Sequence, residues 1–461
     1  MIDTEKKLKQ SIAEAVRELY GEEASPELEI PDNPDFGDLS TNIAFQLAPV
    51  ARKSPRDIAI EISTALKLPP DFSSAEPAGA GFVNFRLSPE YLQGLLARVI
   101  DNPEGFGKLD IGGGEQIQIE YVSANPTGPL NVVSARAAAV GSSLVNILRH
   151  AGYTAEGEYY INDAGNQIRE LAVSFVLRVL QQEGLRVDFG PDGYRGVYLK
   201  DLVTDLLEEV PELADEISGL KRFFIHDILL SEKITEMMFL PPEEDMPDPE
   251  TGVMRSKVMR EIILERAGGW VLEKMIEGIK SDLELFRTHF DSFYSETELR
   301  ESGKVENVLE SMRGSGNTLF RDGAEWFDPT DYDDSESPFV LVKSDGEYSY
   351  IAVDIAYHND KFERGFERIF DIWGPDHHGH IGRMNAALTS LGHGENFEVL
   401  TLQQVNLIES GARIKMSKRR GDIITLRELV DDVGVDVARY FFLARRMEAH
   451  LDCDLDLARR Q

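Results

Sequence analysis

The 461-residue chain has a single cysteine, Cys453, so it can form no internal disulfide and no multi-cysteine metal site. It is also short of positive charge: 48 lysines and arginines face 82 aspartates and glutamates, a formal net charge of −34. That balance excludes a surface that is basic throughout, the kind that coats nucleic acid regardless of sequence. A local basic track on an acidic body stays open, because binding follows local potential rather than the total. No apolar run approaches the roughly 18 residues that cross a bilayer, so no transmembrane helix is expected. The opening "MIDTEKKLKQSIAEAV" lacks the apolar centre of a signal peptide. There is no GxxxxGK[ST] run, so P-loop chemistry has no support. The lone cysteine and these absences fit a reducing, cytoplasmic setting.

What remains is an ordinary globular balance, 42% hydrophobic and 28% charged, in a chain long enough for several domains. Residues 1–110 read as a small α/β appendage. "TEKKLKQSIAEAVRELYG" has apolar residues at helical spacing and a glycine stop. Two further helices divide near Ser54-Pro55, and "AGAGFVNFRLSPEYLQGLLARVI" gives a strand and then a helix. A glycine-rich stretch at 101–114 reads as a linker. From 115 the pattern becomes strand–helix–strand. "EQIQIEYVS" alternates. The helix after it places Val133, Ala137, Val140, Leu144 and Ile147 on one face with Gly152 as its stop, and "EGEYYIND" is the next strand. Such a βαβ unit implies a parallel sheet. Residues about 170–290 are acidic and mostly helical, an insertion, with a loop-like 239–252. Alternation then resumes to 427, and 428–461 reads as a helical segment. The fold class is α/β: a doubly wound, Rossmann-like parallel-sheet catalytic domain at 115–427, with an N-terminal appendage and helical insertions.

Ligands of open α/β sheets sit beyond the carboxyl ends of the strands, where the strand order reverses. Three segments should converge there. "PTGPLNVVSAR" (126–136) is a turn before a helix whose first N–H groups suit a phosphate, with Arg136 as an extra cation. "GPDHHGHIGRM" (374–384) packs three histidines into four residues. His377, His378 and His380 are too close for the usual spaced zinc ligands, so they read as pocket lining and no metal site is expected. "IKMSKRRGDIITL" (414–426) is the densest basic cluster of the chain. It reads as a loop that aims Lys415 and Lys418 at one anion, as phosphoryl-transfer chemistry needs.

In this order the three segments resemble a class I aminoacyl-tRNA synthetase, and the full set is similar to the arginyl-tRNA synthetases over nearly the whole chain. "KMSK" at 415–418 matches the class's second signature. "EYVSANPTGPL" (120–130) with "EYYINDAGNQI" (158–168) is more specific to the arginine family. "DFGDLSTNIAFQLA" and "AGAGFVNFRL" resemble its N-terminal tRNA-binding appendage. The resemblance implies ATP-dependent formation of arginyl-adenylate, then transfer of arginine to tRNA-Arg, with activation generally requiring bound tRNA. ATP would enter with Mg2+ as substrate, without a prosthetic group or a dedicated protein cage for the metal. A monomer is expected.

Residue roles follow from place in the motifs. Glu120, Ser123 and Asn125 would contact arginine. Tyr350 and Asp354, four apart, would clamp its guanidinium, and Asn162, Asp163, Gln167 and Glu296 would complete that pocket. Gly374, Asp376, His377 and His380 would border the adenosine. Lys415 and Lys418 would act on the departing pyrophosphate. At the opening turn the family has H-x-G-H, where this chain has Asn131-Val132-Val133-Ser134. Asn131 and Ser134 can still donate hydrogen bonds, whereas Val133 stands where glycine admits adenine. The family continues past the equivalent of Gln461 with an anticodon-binding domain, so a fragment or a form without anticodon reading is expected. Two other readings stay open. One is a non-catalytic paralogue that binds arginine or tRNA, and the other is an enzyme that adenylates arginine for a different acceptor.

Overall fold

The computed structural model describes residues 2–220, 253–333, 336–414 and 424–460, and for 2, 253–260 and 378 the backbone alone. Two compact units divide between Lys108 and Leu109. In the first, strands β1 (Leu39–Thr41), β2 (Phe72–Ala78) and β3 (Phe82–Leu87) form an antiparallel sheet in the order β1-β3-β2. The helices Ile2–Tyr20, Ile43–Ala51 and Pro55–Ala65 bury Leu8, Ile12, Ile43, Ile58 and Ile62 with Val83 and Phe85 of β3. The break at Ser54-Pro55 is a helix start: the Ser54 hydroxyl accepts from the Asp57 N–H and proline fills the first turn, where no donor is needed.

The second unit is built on a parallel sheet of β4 (Gln116–Glu120), β5 (Thr154–Ile161), β6 (Ser292–Ser295), β10 (Arg368–Trp373) and β11 (Phe397–Thr401), in the order β11-β10-β4-β5-β6. The chain winds outward from β4 to β6, then returns to the other side of β4 as β10. The order therefore reverses between β4 and β10, which makes that crevice the switch point. Asp371 of β10 is the register partner of Glu120 of β4. The helix Val132–His150 crosses over between β4 and β5. Its Gly141 lies against Tyr121, where a Cβ would meet the ring at 2.2 Å.

Several expectations need correction. The buried face of that helix is Val132, Ala135, Arg136, Ala138, Ala139, Ser142 and Val145. Of the face read from the sequence, Ala137 is buried and Val140 and Leu144 pack beside it, but Val133 and Ile147 are exposed. Part of the glycine-rich stretch is zipped onto the helix end: the N–H groups of Leu109, Ile111 and Gly114 donate to the carbonyls of His150, Ala151 and Gly152. The segment 428–461 is not all helical. After the helices Leu426–Val433 and Val435–Leu443, β14 (Leu451–Asp454) pairs in parallel with β12 (Val405–Glu409), and β13 (Ala412–Arg413) flanks β12 on its other side. A further antiparallel sheet, β7 (Thr318–Arg321), β8 (Ala324–Phe327) and β9 (Phe339–Val342), precedes the helix Tyr350–Glu363. The insertion's described helices, Asn166–Gln182, Tyr198–Glu209, Pro211–Gly219 and Val253–Leu285, share one apolar core around Phe175, Leu199, Leu206, Ile217 and Val271. No helix among the described residues is long and apolar enough to cross a membrane.

Candidate active site

A cavity of about 480 Å³ opens beyond the carboxyl ends of β4, β5 and β10. Glu120, Ser123, Asn125, Asn162, Glu296, Tyr350, Asp354, Gly374, Asp376, His377 and His380 all line it. Sequence reading missed the rest of its wall: Tyr121, Val122, Tyr160, Val353, Asp371, Ile372 and Trp373. Past the end of β4 the backbone enters the left-handed region at Val122 (φ 71°) and Ser123 (φ 35°). For a β-branched valine that conformation is strained, costing on the order of 1–3 kcal/mol. The bend lets the Ser123 hydroxyl accept from the Tyr160 N–H at 3.1 Å, which ties β4 to β5 at the cavity wall.

Beneath the cavity lies a chain of buried charges. Lys361, fully buried, donates to Glu120 Oε2 at 2.7 Å and to Asp371 Oδ1 at 3.0 Å. His358 Nε2 is 2.6 Å from the other Asp371 oxygen, and His358 Nδ1 is 3.2 Å from Asp354 Oδ1. His380 Nε2 lies 2.9 Å from Asp354 Oδ2. An unpaired ammonium or carboxylate at this depth would cost several kcal/mol, and the alternation of sign offsets that cost. Burial alone would raise the Asp354 carboxyl. The His358 charge and hydrogen bond, followed by those of His380, outweigh it and hold Asp354 well below the usual carboxylate range. Asp371 is likewise held down, against its burial, by Lys361 and His358. Burial pushes the Glu120 carboxyl up against the pull of Lys361. Alongside, the Arg364 guanidinium forks onto Glu158 at 2.6 and 2.8 Å, and Gln118, Tyr357 and Ser292 donate to the same carboxylate.

Glu120, His358 and Asp371 have ligand atoms within 4.8 Å of one another, close enough to hold a metal ion. The Lys361 ammonium already stands against two of them and supplies a cation of its own.

On the β5 side, Glu296 is buried and its Oε1 pairs with Arg300 at 2.7 Å. With its nitrogen turned toward these acceptors, the Asn162 amide donates to Glu296 Oε2 at 3.0 Å and to the Ala164 carbonyl at 3.2 Å. Burial, then the negative charges of Glu296 and Asp354, push the Tyr160 hydroxyl above its ordinary range, so it keeps its proton. Asp163 and Gln167 do not line the cavity. Asp163 accepts from Ser295 Oγ at 2.6 Å and from the Thr297 N–H at 2.8 Å, anchoring the helix start that carries Glu296. Gln167 accepts from Asn125 Nδ2 at 2.6 Å and orients it. Tyr350 does line the cavity but is 70% exposed, at its mouth.

The turn at 126–136 differs most from expectation. Asn131, Val133 and Ser134 do not line the cavity. Asn131 Oδ1 accepts from the N–H groups of Val133 (3.0 Å) and Ser134 (3.1 Å), so the helix-start donors expected to face phosphate are capped by Asn131 instead. Arg136 is no phosphate cation. It is fully buried and donates to the carbonyls of Gln403, Arg446 and Ala449. The turn is stitched to residues 425 and 426: Asn131 bridges Thr425, and the Leu426 N–H donates to the Leu130 carbonyl at 2.7 Å. Lys415 and Lys418 lie outside the described residues.

Comparison with known proteins follows the same division of the chain. Residues 6–87 match the family model of the arginyl tRNA synthetase N terminal domain, and 271–445 match that of the tRNA synthetases class I (R), catalytic domain. The arginine–tRNA ligase of Bacillus licheniformis is 42% identical over 457 residues, 98% of this chain and 75% of its own. Arginine–tRNA ligase 1 of Halalkalibacterium halodurans is 42% identical over 464 residues, 99% of this chain and 76% of its own. The arginyl-tRNA synthetase of Thermus thermophilus shares the fold, with a TM-score of 0.59 at 18% identity over 98% of this chain and 77% of its own.

Proposed function

The chain belongs to the arginyl-tRNA synthetase family, and on that premise we propose that it joins arginine to tRNA-Arg at the β4–β10 crevice. Arginine and ATP condense there to arginyl-adenylate with release of pyrophosphate, and the arginyl group then passes to the terminal ribose of the tRNA. The enzyme acts chiefly by positioning the carboxylate for in-line attack and by stabilising the charge of the departing pyrophosphate.

The observation that carries this reading is the Asp354 carboxylate, ionised and open to the cavity. Its oxygens receive His358 on one side and His380 on the other, and a carboxylate has lone pairs left for a guanidinium. Tyr350 would cover that group from the mouth. Glu296, with Asn162 and Tyr160 around it, faces the substrate's ammonium. Glu120, Ser123 and Asn125 line the arginine half of the cavity, and Asp163 and Gln167 serve by holding Glu296 and Asn125 in place. The adenosine lies along Gly374, Asp376 and His377, with His380 on the border between the two ligands. Asn131 and Ser134 hold the turn beside the nucleotide, and Val133, exposed at 41%, leaves room for a shifted adenine. Lys415 and Lys418 act on the departing pyrophosphate. Mg2+ enters with ATP, without a protein cage, and the enzyme works as a cytoplasmic monomer whose first unit, through residue 108, binds tRNA.

The test is charging of tRNA-Arg with radiolabelled arginine, with citrulline as competitor. Citrulline has the same shape but a neutral urea. Arginine-dependent charging that citrulline scarcely inhibits supports the reading; charging inhibited equally by both would remove Asp354 from it.

A further inference from the structure

We propose that His358 is a positioning residue for arginine recognition: a buried imidazolium that aims the Asp354 carboxylate into the cavity and leaves the buried charge chain one positive charge short, the charge the substrate guanidinium supplies. The proposal rests on the functional reading above and deepens it.

The hydrogen-bond pattern fixes the state of the ring. His358 is 1% exposed. Its Nδ1 faces the Asp354 carbonyl at 2.8 Å and Asp354 Oδ1 at 3.2 Å, and its Nε2 faces Asp371 Oδ2 at 2.6 Å. A peptide carbonyl has no proton to give, and Lys361 holds Asp371 ionised from its other oxygen. Both ring nitrogens must therefore donate, and a ring that donates from both is an imidazolium. Burial and the Lys361 charge oppose that state, but Asp371 and Asp354 outweigh them and lift the ring to about 10.

The charges around it form a chain with acid at both ends. From β4 comes Glu120, from β10 Asp371, from the helix Tyr350–Glu363 the pair Lys361 and His358, then Asp354, touched by His380 of the following helix. Nearby charges are matched separately. Glu158 is forked by Arg364, and Asp360 is paired with Lys304 and Arg364. Against Lys361 and His358 stand three carboxylates, and the outer one, Asp354, is left to His380 and to the substrate; the terminal acids, Glu120 and Asp354, both line the cavity. A guanidinium completes the alternation and a neutral side chain does not. Without the imidazolium, Asp354 and Asp371 would lose the cation they share, and Asp354 would turn toward His380 or take up a proton.

Two measurements on the full chain test this. Selective 15N-histidine labelling, with His358 assigned from its loss in His358→Gln, reads ring protonation without any need for activity. Protonation of both nitrogens at about pH 8, above the ordinary imidazole value, is expected, and a neutral ring overturns the proposal. Arginine titration is the second. His358→Gln should weaken arginine binding roughly tenfold or more, the scale of one charged hydrogen bond, while changing the KM for ATP less than about twofold. The double variant His358→Gln/Asp371→Asn restores the single surplus negative charge and should bind arginine more tightly than His358→Gln. A merely structural role predicts the reverse order. That order, or unchanged arginine binding in the single variant, overturns the proposal. Arginine binding in the expected pattern without any tRNA charging by the unaltered protein would overturn the functional reading and leave the positioning role standing.

Discussion

Glu120 and Lys361 are 241 residues apart in sequence and 2.7 Å apart in space. Their contact, with that of Lys361 to Asp371, closes the floor beneath the cavity between β4 and β10. It joins the two halves of the doubly wound sheet at the point where the ligand site forms, so the site's electrostatics and the fold's closure depend on the same buried groups.

Asp354→Asn keeps the shape of the side chain and removes its charge. Loss of one charged partner should weaken arginine binding by about 2–5 kcal/mol. His358 and His380 would then face a neutral amide. Arginine titration by calorimetry checks this, and ATP affinity measured on the same samples should stay close to that of the unaltered protein.

Stability should fall on the alkaline side. His358 has its pKa raised to about 10 in the folded chain, from an unfolded value near 6.5. Its contribution is therefore complete below the unfolded value and is lost as pH rises through that window. Urea midpoints between neutral pH and about pH 10 should decline in the unaltered protein and decline less in His358→Gln.

Arg136→Met should act on stability and not on nucleotide binding. The guanidinium donates to the carbonyls of Gln403, Arg446 and Ala449, so its removal leaves buried acceptors unpaired at about 1–3 kcal/mol each. Denaturation midpoints should drop well below those of the unaltered protein, while the KM for ATP of the remaining folded fraction stays unchanged.

The helix cap at the divergent turn has its own signature. Asn131→Ala should cost about 0.5–2 kcal/mol, because the N–H groups of Val133 and Ser134 lose their acceptor. Val133→Gly should cost about 0.5–1 kcal/mol through helix propensity, with no cavity term at so exposed a position. Chemical denaturation of both variants distinguishes a cap from a disposable loop.

The backbone plan was legible because it follows periodicity. The alternating "EQIQIEYVS", the Ser54-Pro55 break and the helical insertion each carry a local signal. The cavity wall was legible in part because its residues fall at strand ends. The charges beneath it were not read. Lys361 and His358 sit in "AYHNDKF" and look like the solvated side of a helix, though Asp371 in the apolar strand "RIFDIW" was a sign of a buried acid needing a partner. Arg136 was misjudged for a related reason. Its place beside the turn suggested a phosphate, whereas the helical period carries it inward with Val132 and Ala139. The cap at Asn131 shows the same limit: Asn is a good helix cap and a good ligand donor, and only geometry separates the two uses.

Pyrophosphate–ATP exchange with arginine, run with and without tRNA-Arg, tests the central claim most directly. Arginine-dependent exchange that requires the tRNA and is abolished when citrulline replaces arginine is expected. Exchange at full rate without tRNA would point to another acceptor, and no exchange under any of these conditions would contradict the assignment of the β4–β10 crevice as an arginine-activating site.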